Sequence, residues 1–326
     1  MVDNREKREI GLKAIHGARA ERARSKTGRL TGPAWLAAGG AVLLTVVIAW
    51  FASNRSLSKQ KDDLLAQQRA AVTTVGAEWA PLRDKIEKLT LDAAADPYKG
   101  DMVDPEAANW DFRSAPGIYL RLRKDDAKDV ETLRKRAQDS VKDAFTGCLL
   151  RETNVALARG EPDAGTAPDQ PWNLRQAYVA TRVLSDAWAN EVKAADDPIR
   201  LRVFEQQYEK AKRDGIPLAI DIVKRAQFYL LVLDEDVPEA NEYTVDGGAV
   251  TSEELQQVPH PARVHIMNLK TGKELVRLRR TGEADFRFAG ERAVHDPEVR
   301  AAMRRQVNNC ALANEVWSAI QPKHAP

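Results

Sequence analysis

Two cysteines, five histidines and one run of three carboxylates are the residues of this 326-residue chain whose types and spacing could do chemistry. Cys148 and Cys310 each fall on the apolar side of a segment with helical spacing. In an oxidising compartment two such residues are suited to a disulfide. That bond would close a loop of about 160 residues, which chain entropy values at roughly 5 kcal/mol. The alternative is two separate buried thiols, each acting as a small core residue. No CxxC pair occurs, so a reactive thiol is not expected.

The histidines are His16, His260, His265, His295 and His324. No pair has the spacing of helix-borne metal ligands with a third ligand nearby, so no metal site is assigned. His260 and His265, which flank a strand start, read as surface or strand residues. Asp234, Glu235 and Asp236 follow an apolar run, as carboxylates holding a cation at a strand end would. A solvated turn is the plainer account of them. The sequence contains no GxxxxGK[ST], GxSxG or GxGxxG. We therefore assign no catalytic, cofactor-binding or metal-ligating residue and expect no cofactor. An enzyme that assembles ordinary acids from distant strands stays open.

The elements that position these residues begin with IYLRLRK at 118–124, where apolar and basic residues alternate as in a half-buried strand. A helix from Asp126 follows, with Val130, Leu133, Ala137, Val141, Ala144 and Cys148 on its inner face. A second helix carries Leu174, Tyr178, Thr181, Leu184 and Trp188. Asp197 and Pro198 then open a third, closed by Gly215 before Pro217. QFYLLVLD reads as a buried strand. RVHIMNLKTGKELVRLRR reads as a hairpin turning at Gly272. Asp296 and Pro297 open a last helix whose inward stripe is Val299, Met303, Val307, Cys310, Trp317 and Ile320, ended by Pro322. Segregated strands and helices predict an α+β domain at 118–322, with a mostly antiparallel sheet and several amphipathic helices.

The N-terminal third has another character. No charged residue occurs from Leu30 to Asn54, long enough for one transmembrane helix over 34–52. Trp35, Trp50 and Phe51 stand at its ends as interface anchors. Residues 1–33 carry nine Lys or Arg against four acidic residues, a net +5, and the remainder carries −3. This asymmetry predicts a cytosolic tail, a retained signal anchor in the plasma (inner) membrane, and an exported C-terminal domain. Residues 53–95 read as a membrane-proximal helical stalk. Val72, Val75, Trp79, Leu82, Ile86 and Leu89 repeat at alternating three and four, a coiled-coil seam through which two copies could pair, or a face that packs on its own domain. Pro81 predicts a kink or a fresh helix start. Residues 96–117 read as a loop.

This layout predicts a non-enzymatic interaction or scaffolding subunit of an envelope complex, with the membrane and other envelope proteins as partners and no nucleic acid. The alternative is an extracytoplasmic ligand-binding or sensing module, with an apolar pocket lined by the Trp and Tyr residues of helices 171–214.

Overall fold

The computed structural model describes residues 43–44, 57–112, 115–140, 143–150, 171–243, 250–282 and 296–321. The chain divides into two units, 1–62 and 63–326. In the first, residues 43–44 and 57–62 are helical.

Among the described residues no helix is long and apolar enough to cross a membrane. This corrects the fold expected from the sequence. The span expected at 34–52, with Trp35, Trp50 and Phe51, lies outside the described residues except for Leu43 and Leu44.

The second unit is α+β around a six-stranded sheet. The strands are β1 (Met102–Val103), β2 (Gly117–Arg123), β3 (Trp172–Asn173), β4 (Phe228–Asp234), β5 (Pro261–Asn268) and β6 (Glu274–Thr281), in the order β1-β6-β5-β4-β2-β3. β2 runs parallel to both β3 and β4, whereas β4, β5, β6 and β1 pair antiparallel. The sheet is thus mixed, a second correction to the expected mostly antiparallel one. Its reason is connectivity: the helices between β2 and β4 carry the chain back so that both strands start at the same end.

The hairpin turns at Gly272, whose φ of 72° suits a residue without a Cβ. Asn268 steadies the turn by accepting from the backbone N–H groups of Lys270 and Thr271. Pleating then sends alternate residues to opposite faces. One face buries Tyr119, Phe228, Leu230, Val232, Val264, Ile266 and Leu278 against α3 (Ala144–Leu150) and α9 (Pro297–Ile320). The buried residues of α9 are Asn308, Asn309, Leu312, Ala313, Val316 and Ile320. They lie about a third of a turn from the expected stripe, of which Ile320 is buried, Met303, Val307, Cys310 and Trp317 are half-buried and Val299 is exposed.

The other face meets α1 (Ala77–Ala95), where Thr90 and the Tyr229 hydroxyl share a 2.8 Å hydrogen bond. α1 follows helical residues 63–71 and a π-helical turn at Val72–Gly76 without interruption, and Pro81 sits inside it. On the expected seam Trp79 and Ile86 are buried, Val75, Leu82 and Leu89 half-buried, and Val72 exposed. Beside α1 lies α2 (Val130–Ala137), whose Arg134 holds Glu87 of α1 through two 2.8 Å hydrogen bonds. The single helix expected from Asp126 to Cys148 is therefore two, α2 and α3.

α4 (Arg175–Thr181), α5 (Asp186–Ala194), α6 (Pro198–Lys210) and α7 (Ile216–Arg225) complete this side. Asp197 caps α6 by accepting from Arg200 N–H, and Pro198 occupies its first turn. Gly215 does not close the helix: the chain passes through a π turn, Ala211–Gly215, into α7. A Cβ at Gly215 would stand 2.8 Å from the Cβ of Ala180, so glycine is there to let α4 approach.

Candidate functional site

The chemistry-bearing residues gather at the end of the sheet where β2 and β4 finish. They form two ionic groups.

The first is buried. Tyr119, Arg121 and Asp234 share the face covered by α3 and α9, and Arg121 is 1% exposed. Its Nε and Nη2 donate to the two oxygens of Asp234, both at 2.8 Å. Its Nη1 donates to Asp143 Oδ2 at 3.1 Å and Asn309 Oδ1 at 2.6 Å. Asp143 also accepts from the Tyr119 hydroxyl at 2.6 Å, and through its other oxygen from Phe145 N–H at the start of α3. Asn309 donates to Gln256 Oε1, and Asn308 donates to the Gln256 carbonyl. Gln256 follows α8 (Ser252–Leu255), a short helix begun by a capping box between Thr251 and Glu254.

His260 completes the group. Its Nδ1 lies 2.8 Å from the Val258 carbonyl and its Nε2 lies 2.9 Å from Asp234 Oδ1. Each ring nitrogen thus meets an oxygen, and Nε2 also lies 3.4 Å from Arg121 Nη2. Arg121 thus pairs with both Asp234 and Asp143. Burial opposes the charge on Asp234, but Arg121 and His260 hold its carboxyl well below the usual carboxylate range. Burial pushes the Asp143 carboxyl up, against the pull of Arg121 and Tyr119.

The second group is open. Glu235 accepts from Arg263 Nε at 2.6 Å and from Arg279 Nε at 2.8 Å, and Asp236 is paired with Arg123. Arg263 also donates to the Asp96 carbonyl at 2.9 Å and lies under the Tyr98 ring, 5.7 Å from its centroid. Burial, then the neighbouring Asp101, pushes the Tyr98 hydroxyl up to about 12. Around these side chains is a cleft of about 370 Å³, lined by Tyr98, Lys124, Asp125, Glu235, Asp236, Arg263 and Arg279.

The three carboxylates expected in a solvated turn are instead each committed to arginine. His260 and His265 are both buried, and His265 Nδ1 meets Glu274 at 2.7 Å. Cys148 and Cys310 form a disulfide between α3 and α9, with Cα atoms 5.1 Å apart and 162 residues between them in sequence. Among the aromatic residues of 171–214, Trp188, Phe204 and Tyr208 are core residues. Trp188, 0% exposed, stacks on Tyr208 at 6.1 Å and meets Phe204 edge-on at 5.8 Å, filling the core between α5 and α6.

Arg121, Asp143, Gln256 and Asn309 were not singled out by sequence. Alternation at 118–124 suggested a basic solvent face, yet every residue of β2 is buried. The available signal was the Asn308–Asn309 pair set between the apolar residues Val307 and Cys310. Among known protein families, curated proteins and solved structures, none matches this chain.

Proposed function

We propose that the chain acts as a non-enzymatic interaction or scaffolding subunit of an envelope complex, with its folded domain in an extracytoplasmic compartment. The observation that carries this reading is an apolar surface left on the helical side. Ile199 is 78% exposed and Val203 46% exposed, one turn apart on α6. The opposite stripe of the same helix, Leu201, Phe204 and Tyr208, is core. A helix apolar on two sides buries one of them in its own domain and has the other available to a neighbour. Leu218 on α7 and Val179 on α4 are about half exposed as well. Exposed apolar groups of this kind, rimmed by charge, are common at protein contacts.

The Cys148–Cys310 bond supports the compartment, since such bonds persist where the surroundings are oxidising. The buried ionic group supports a scaffold. Arg121 meets Asp234, Asp143 and Asn309 together, so its donors join β2, β4, the start of α3 and α9.

The test is mild copurification of the intact chain, wild type against the Ile199→Asp/Val203→Asp double variant. The expected result is a stoichiometric envelope partner that is lost in the variant while its unfolding temperature stays within about 2 °C, as surface substitutions usually allow. A partner retained by a folded variant, or a wild type without any, defeats the reading.

A further inference from the structure

The open cleft has a charge imbalance that the buried group lacks. Asp236 is matched by Arg123 and Asp125 by Lys128. Glu235, however, serves two guanidinium groups, Arg263 and Arg279. Lys124 makes no ion pair or hydrogen bond with another described residue. After internal pairing, two positive charges are left over, one at the Arg263/Arg279 end and one at Lys124.

Donors are left over too. Arg263 uses Nε on Glu235 and Nη1 on the Asp96 carbonyl, so its Nη2 has no partner among the described residues. Arg279 uses Nε and Nη2 on Glu235, so its Nη1 is likewise available. Two planar forks with unused N–H groups, side by side on one carboxylate, match the geometry of an oxyanion.

Position adds an independent argument. The cleft opens at the carboxyl ends of the parallel pair β2 and β4, next to the point where β5 reverses the sheet direction. In open sheets that is where ligands settle. From β2 to β6 the strand ends span three spacings, about 14 Å, and the volume suits a small molecule rather than a chain. Six of the seven lining side chains are charged, which disfavours an apolar occupant.

We propose that this cleft binds a small organic anion through a carboxylate or phosphate group held by Arg263 and Arg279, its remaining charge facing Lys124. This goes beyond the interaction reading and uses none of the residues on the α6 surface, so either can fail alone.

The experiment is calorimetric titration of the full chain with succinate and, separately, with inorganic phosphate, at fixed ionic strength. One-site binding is expected for at least one probe, weakened about tenfold by Lys124→Gln and by Arg279→Gln, as for loss of one charged hydrogen bond. Neither residue is buried, so the unfolding temperature should confirm that both variants fold. Binding of succinate alone assigns a carboxylate ligand, and binding of phosphate alone assigns a phosphate ligand. No saturable heat with either probe, or binding unchanged in both variants, overturns the proposal.

Discussion

Asp234 and Glu235 are consecutive residues at one strand end, and they belong to opposite kinds of electrostatic structure. Asp234 points into the layer under α3 and α9, is 0% exposed, and meets Arg121 and His260. Glu235 sits in an open cleft and shares its charge between two arginines, one of them about half exposed. In the buried group Arg121 pairs with both Asp234 and Asp143, and removing it strands a charge where water cannot reach it. In the open group the surplus is cationic and solvent screens what is removed. One step along the chain decides whether a carboxylate ties layers of the core together or steadies two arginines at the edge of a cleft.

The largest effect should come from Arg121→Met. It abandons Asp234 and Asp143 inside the core, and a loss of about 3–5 kcal/mol is expected in denaturant unfolding. A loss below about 1 kcal/mol would mean that the buried group is not a keystone and would erase the contrast with the cleft. Next is Cys148→Ser, which frees α3 from α9 and should cost about 2–4 kcal/mol, less than the chain-entropy ceiling for so long a loop. Wild type should migrate differently before and after reduction, and the variant should not.

Much of the fold was legible, for reasons that differ between elements. The Phe228–Asp234 strand, the hairpin and the capped starts of α6 and α9 announce themselves locally, through an apolar run, a turn glycine and Asp-Pro pairs. The partner of Cys148 was legible because only one other cysteine exists. Parallel pairing of β2 with β4 was not legible, because it depends on how the intervening helices return the chain. The π turns at Val72–Gly76 and Ala211–Gly215 were hidden as well: they carry the helix past Pro81 and Pro217, where a proline alone suggests a break. The buried ionic group was missed because alternation in IYLRLRK cannot say whether water or another layer covers the basic face. Its members come from five separate stretches of chain, and only folding brings Arg121 to Asn309.

Acidity should separate the two buried carboxylates by smaller amounts. Asp234 is held below the ordinary value of 3.8, so its contribution is complete above that pH and is lost as pH falls toward the folded value. Asp143 is raised above 3.8, so its contribution is complete below that pH and is lost as pH rises through the folded value. Together they predict a stability maximum near pH 4 from this pair. Asp143→Asn, which keeps an acceptor oxygen for Tyr119, should flatten the alkaline side by on the order of 1 kcal/mol per pH unit and spare the acid side. Denaturant unfolding from pH 3 to 7 measures this, and parallel profiles for wild type and variant would contradict it.

The smallest expected effect on stability, Glu235→Gln, sharpens the comparison most. It removes one carboxylate, as a change at Asp234 would, but here Arg279 is 47% exposed and Arg263, though buried, keeps the Asp96 carbonyl. The cost should be about 0.5–1 kcal/mol, the scale of a partly exposed pair. The same substitution takes away the charge that Arg263 and Arg279 share, freeing their donors for an incoming oxyanion. Affinity for succinate or phosphate should then rise about threefold to tenfold, the worth of one screened charge near the site. A variant that loses 3 kcal/mol or more would show that Glu235 is as structural as Asp234. One that is stable yet binds no better would show that the surplus cations of the cleft do not act on an anion.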